Sequence, residues 1–143
     1  MLLSRFFALC ATLLLVAVLP TIAQNNSEGK HPIDSALDLC MDKNPSTTGT
    51  VNCIEKAYKE WDAELNKYYK LLQGVCNEQQ KKALRTVQLA WIAYRDKEFE
   101  VIDKLYESKE GTMFVPMAAY DKAEVVKKRA LELKSHYELL TEY

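Results

Sequence analysis

Gln88-Leu-Ala-Trp-Ile-Ala-Tyr-Arg-Asp96 is the stretch on which the fold turns. It holds no glycine or proline and lies inside a long run of helix-favouring residues. On a helix, Gln88, Trp91 and Arg95 fall on one stripe, at steps of three and four. An amide and a guanidinium there flank a tryptophan, where a plain bundle would place aliphatic side chains. Buried without partners, such groups cost free energy, so the stripe predicts specific polar contacts with a neighbouring element.

Working outward, the helix containing this stretch is predicted from about Glu78 to Ser108. Leu84, Gln88, Trp91, Arg95, Ile102 and Leu105 share the rhythm, and Lys81, Lys82, Arg85, Lys97, Glu100 and Lys104 fall outside it. Upstream, Ile54, Tyr58, Trp61, Leu65, Tyr68 and Leu72 recur at alternating steps of four and three, predicting a helix from near Thr50 to about Gln73. Gly74 and Asn77 break it. Downstream, Ala119, Ala123, Val126, Ala130, Leu133, Tyr137 and Leu140 predict a helix from roughly Met117 to Leu140. Its three alanines permit close helix approach. Pro32 to Met41 reads as a short helix with proline at an early position. Asn44 to Gly49 reads as a loop, and so does Glu110 to Pro116. The expected fold is all-α: an up-and-down antiparallel bundle of three long helices plus one short, disulfide-tethered N-terminal helix.

Residues 1–23 read as a secretory signal peptide. Arg5 supplies the positive start, Phe6 to Leu19 is an uncharged, largely apolar run of 14 residues, and Thr21-Ile22-Ala23 offers a cleavage site. Such a run is short for a membrane span. Residues 24–31 read as a polar, disordered leader, and 32–143 as the domain. The expected mature chain is periplasmic or secreted, with no membrane span. Without Arg5 the 19 Lys and Arg fall to 18 against 20 Asp and Glu, a net charge of −2. That balance lacks the basic footprint of a nucleic-acid-binding protein.

Export also bears on the cysteines. Cys40, Cys53 and Cys76 remain after Cys10 leaves with the signal, and an oxidising compartment favours one disulfide with one thiol left over. Cys40 and Cys53 bracket a turn-rich segment and are the expected pair. Cys76 is then a buried free thiol or an intermolecular bridge. The spacings match no zinc site.

Trp61, Asn66, Gln88, Trp91, Arg95 and Asp96 form the leading polar and aromatic constellation. If the second and third helices are antiparallel neighbours, Trp61, Leu65, Trp91 and Arg95 face one another, with Asn66 beside Gln88 and Asp62 or Glu98 near Arg95. The constellation reads as a lock on helix register more readily than as a ligand site. The carboxylates of Glu60, Asp62, Glu64, Asp96, Glu98, Glu100 and Asp103 are scattered among lysines, as on a solvated face. His31 and His136 enter no recognisable triad. Phosphate loops and hydrolase signatures are absent from the sequence, so no catalytic residue, cofactor or metal is expected.

Pro32-Ile-Asp34, Cys40 through Cys53, Trp61-Asp62, Leu65-Asn66, Tyr69, Gln88, Trp91, Arg95-Asp96 and Gly111-Thr112-Met113 together resemble the LprI-like lysozyme inhibitor family of small exported bacterial proteins. The resemblance covers most of the mature chain and implies a helical, disulfide-bearing periplasmic or surface module, some of whose relatives inhibit lysozyme. Cys76 lies outside the family pattern. The lipid-attachment cysteine of some relatives is absent, since Phe7-Ala8-Leu9 before Cys10 lacks the small residues such processing needs. The resemblance implies a protein partner, a lysozyme or another peptidoglycan hydrolase, blocked at its cleft. The alternative is a non-catalytic envelope assembly or immunity-type partner protein. An inhibitor needs an exposed element, and Glu110, Thr112, Met113 and Phe114 are the first candidates. Exposed apolar groups anchor interfaces, and a carboxylate there favours encounter with a basic hydrolase.

Overall fold

A computed structural model describes residues 29–142; the predicted signal peptide lies outside them. Four helices follow in order: α1 (Pro32–Lys43), α2 (Thr47–Val75), α3 (Glu78–Glu107) and α4 (Phe114–Thr141). No strand occurs among the described residues.

Local chemistry sets the helix starts. His31 caps α1, its Nδ1 accepting from the Ile33 N–H at 3.3 Å, and Pro32 occupies the first turn, where a missing N–H costs least. Ser46 caps α2 by accepting from Gly49 N–H at 3.1 Å. This cap starts the helix at Thr47, inside the segment expected to be loop. Gly49 is required there, because a Cβ would lie 2.7 Å from the Asn44 carbonyl oxygen. At the start of α3, Asn77 accepts from Gln80 N–H at 2.9 Å and Gln80 reaches back to Asn77 N–H at 2.8 Å, forming a capping box. No side chain caps α4. Gly111, at φ 112°, turns the chain, and the helix begins at Phe114, earlier than the alanine pattern suggested.

The main pairing is α2 against α4. Ile54, Ala57, Trp61, Leu65 and Leu72 of α2 are buried together with Ala123, Val126, Ala130 and Leu133 of α4. The two helices run parallel: Trp61 lies under Lys127, and nearer the C-termini Tyr68 meets Tyr137 with ring centroids 6.1 Å apart. α3 runs antiparallel to both and buries only Gln88 and Ile102. This departs from the expectation that α2 and α3 form the tight pair. Alanines let α4 come close to α2, whereas α3 turns the bulky Gln88, Trp91, Arg95 and Phe99 toward its neighbours.

Short α1 lies across α2 through Ile33 and Leu37. A Cys40–Cys53 disulfide, with Cα atoms 5.7 Å apart, pins it to α2, and Lys127 of α4 pairs with Asp34 at 2.8 Å. Cys76 is a buried free thiol.

Candidate functional site

The residues read as one constellation separate into four settings: Trp61, Asn66, Trp91 with Arg95 and Asp96, and Gln88 each have different neighbours. Trp61 is buried under His31, with ring centroids 4.3 Å apart, and under the Lys127 ammonium, 5.6 Å from its ring. Asn66 does not meet Gln88; its amide donates to the Asp62 carbonyl at 2.8 Å and the Asp62 carboxylate at 3.0 Å, in an exposed position on its own helix. Arg95 pairs with neither Asp62 nor Glu98. Its Nε and Nη2 donate to Asp96 at 2.9 and 2.7 Å, and its guanidinium stacks over Trp91 at 5.5 Å.

Gln88 instead faces α4. Its Oε1 accepts from Arg129 Nε at 3.1 Å and Nη2 at 2.9 Å, and Arg129 Nη1 donates to Glu132 at 2.7 Å. Arg129 is only 4% exposed. It is the buried cation of the bundle, and the sequence reading missed it. The available signal was its place three residues after Val126 and four before Leu133, on the edge of the alanine face. That spacing was masked by Lys127 and Lys128 beside it, which make the segment look like a solvated charge run.

The corner joining α3 to α4 brings the expected contact residues together. Glu110, Thr112 and Met113 are exposed, Met113 at 62% of its surface. Val115 is 56% exposed. Phe114 is half-buried, 6.4 Å between ring centroids from Tyr106. Tyr106 donates to the Asp121 carboxylate at 2.6 Å, which holds its own pKa above the usual phenol value. Lys122 reaches Asp103 at 2.5 Å. Both contacts fasten the end of α3 to the start of α4.

Beside this corner opens a cleft of about 550 Å³ between α2, α3 and α4. Ile54, Tyr58, Phe99, Tyr106 and Phe114 form its walls, and Glu55, Asp103, Glu107, Lys109 and Lys122 its rim. Sequence patterning gave no sign of it, because its walls come from three helices. No cluster of three or more His, Cys, Asp or Glu side chains suited to a metal ion occurs among the described residues. Nor is any described helix long and apolar enough to cross a membrane.

A disulfide-tethered, all-helical domain with an exposed apolar corner is the class these features define. The chain belongs to the family described as Lysozyme inhibitor LprI, whose model matches residues 40–133. That span takes in both disulfide cysteines, the α3 stripe, the corner and Arg129. The chain is also similar to an uncharacterised protein of Rhizobium meliloti (strain 1021), 29% identical over 91% of this chain and 94% of that protein. A crystal structure of an uncharacterised protein from Burkholderia thailandensis shares the fold, with a TM-score of 0.72 and 26% identity. The match covers 78% of this chain and 56% of that one, so the chain spans little more than half of that structure.

Proposed function

We propose that this chain is an exported antagonist of lysozyme-type cell-wall hydrolases, which it stops by covering their substrate cleft. Family membership supports the choice of target. The exposure of Met113 and Val115 beside Glu110 carries the choice of contact surface. Two exposed apolar side chains two residues apart, with a carboxylate three residues before the first, make a small anchor of the kind that interfaces are built on. The rest of the molecule serves this corner by holding it rigid, through Tyr106–Asp121 and Lys122–Asp103. In this reading residues 1–23 direct export and are removed after Ala23, leaving a mature chain from Gln24 whose residues 32–143 form a periplasmic or secreted binding domain without catalytic activity.

Turbidity assays of cell-wall lysis test the proposal. Purified mature protein is expected to slow lysis by at least one lysozyme at near-stoichiometric ratios. Replacing Met113 and Glu110 together by alanine is expected to weaken inhibition by about tenfold or more, the loss of roughly 1.4 kcal/mol typical of a modest hot spot. Absence of inhibition at large molar excess against every lysozyme tried would overturn it.

A further inference from the structure

The cleft beside the corner has a chemistry of its own. Four aromatic rings line it: Tyr58, Phe99, Tyr106 and Phe114. Three carboxylates stand at its rim: Glu55, Asp103 and Glu107. One part of the cleft already holds a cation. The Lys122 ammonium lies 5.6 Å from the Phe99 ring centre and 2.5 Å from the Asp103 carboxylate. A ring face and a carboxylate therefore share one positive charge, each attracting it electrostatically. The remaining rings and carboxylates repeat these ingredients. Glu55 and Glu107 are exposed and form no ion pair among the described residues, while Lys109 is the one rim cation besides Lys122.

We infer that this cleft receives an arginine side chain from the protein partner, its guanidinium lying against the aromatic walls and donating to Glu55 and Glu107. The inference rests on the reading of the chain as an antagonist of another protein, and adds to it the chemistry of the residue that the partner supplies. Guanidinium fits better than ammonium for three reasons. It is flat and stacks on rings, it donates in a fork that matches carboxylates, and it sheds water more easily. A purely apolar anchor would leave two carboxylates partly desolvated and unpaired, at a free-energy cost. The volume of about 550 Å³ lies within the range of ligand clefts, roughly 300–1,000 Å³, and leaves room for the neighbouring backbone of the inserted residue.

The test is a nuclear magnetic resonance titration of isotope-labelled protein with three capped amino acids: N-acetyl-arginine amide, N-acetyl-lysine amide and N-acetyl-norleucine amide. The arginine probe is expected to shift Tyr106, Gly111 and Phe114 resonances saturably in the millimolar range and to leave Tyr68 and Tyr137 unmoved. It is expected to bind at least threefold more tightly than either other probe. The double variant Glu55→Gln, Glu107→Gln changes exposed positions only, and is expected to lose fivefold or more in arginine affinity. Equal binding of the norleucine probe, or unchanged arginine affinity in the double variant, would overturn the inference. The lysis assay separates the two proposals. Arginine binding without inhibition of any lysozyme sinks the choice of target alone, and inhibition without arginine binding sinks the cleft alone.

Discussion

At the scale of single residues, the buried guanidinium of Arg129 is the most demanding group in the molecule. Two of its nitrogens share the Gln88 side-chain oxygen, and a third meets Glu132. Removing the Gln88 acceptor leaves two buried N–H donors of the guanidinium unpaired, with Glu132 as its remaining partner. Gln88→Ala is expected to lower the unfolding free energy by about 2 kcal/mol, measured by urea denaturation, in the range for hydrogen bonds to charged groups. Arg95→Met supplies the contrast. Arg95 finds its partner in the adjacent, largely exposed Asp96, so its loss is expected to cost under about 1 kcal/mol. A larger effect at Arg95 than at Gln88 would reverse this assignment. Gly49→Ala pushes a methyl group against the Asn44 carbonyl and is expected to destabilise by about 1–3 kcal/mol in the same assay. The sequence marked Gln88 as needing a partner, because a polar side chain on an apolar stripe must be satisfied. It did not reveal which helix supplies that partner. Periodicity records the inward face of each helix and is silent on which faces meet.

At the scale of elements, α1 depends on its attachments. Twelve residues with two buried apolar side chains do not make a stable helix alone. The Cys40–Cys53 bond holds it on α2, closing a loop of 13 residues, and such closure is worth about 3 kcal/mol. Converting both cysteines to alanine is expected to lower stability by about that amount. Amide exchange should rise most in α1, while α2 and α4 keep their protection. Uniform loss of protection across all helices would mean that α1 is integral to the core. Helix boundaries were legible where apolar spacing ran unbroken, as in α3. They were less so where a cap decides the start. Ser46 acts through its hydroxyl as a cap and Gly111 through its positive φ, and the surrounding Asn, Thr and Gly residues resemble ordinary loop. The cleft was not legible at all, since Tyr58 looks like core when its own helix is read in isolation and Phe114 falls in a segment that reads as an exposed loop.

At the scale of the whole molecule, several groups retain their protons more strongly than usual. Burial raises the pKa of Tyr58 and of Tyr120. For Tyr106 the bond to Asp121 is the main cause. At Lys127 burial works against the charge, but hydrogen bonds to Asp34 and Glu124 outweigh it, and the net shift is upward. All four titrate higher in the folded chain than in the unfolded one. Their contribution to stability is therefore complete below the ordinary values of about 10 for tyrosine and lysine, and is lost as pH rises through the folded values. Thermal melts followed by circular dichroism should give a midpoint insensitive to these groups between about pH 7 and 9 and falling beyond about pH 10. A midpoint that holds steady up to pH 11.5 would contradict this linkage.

The parallel pairing of α2 with α4 has a consequence for how the chain is assembled. Two parallel helices cannot be joined by a tight turn, so something must carry the chain back along their full length. α3 does so with 30 residues, beside 29 in α2 and 28 in α4. At 1.5 Å per residue it is a strut of about 45 Å that delivers the start of α4 alongside the start of α2. The strut is also a gauge. One residue inserted in α3 would displace α4 by about 1.5 Å and turn the following face by roughly 100°. That would move Arg129 away from Gln88 and the alanines away from Trp61 in a single step. The core then depends on the length of the helix that contributes least to it, and tolerance of insertions should be lower in α3 than its exposed surface suggests.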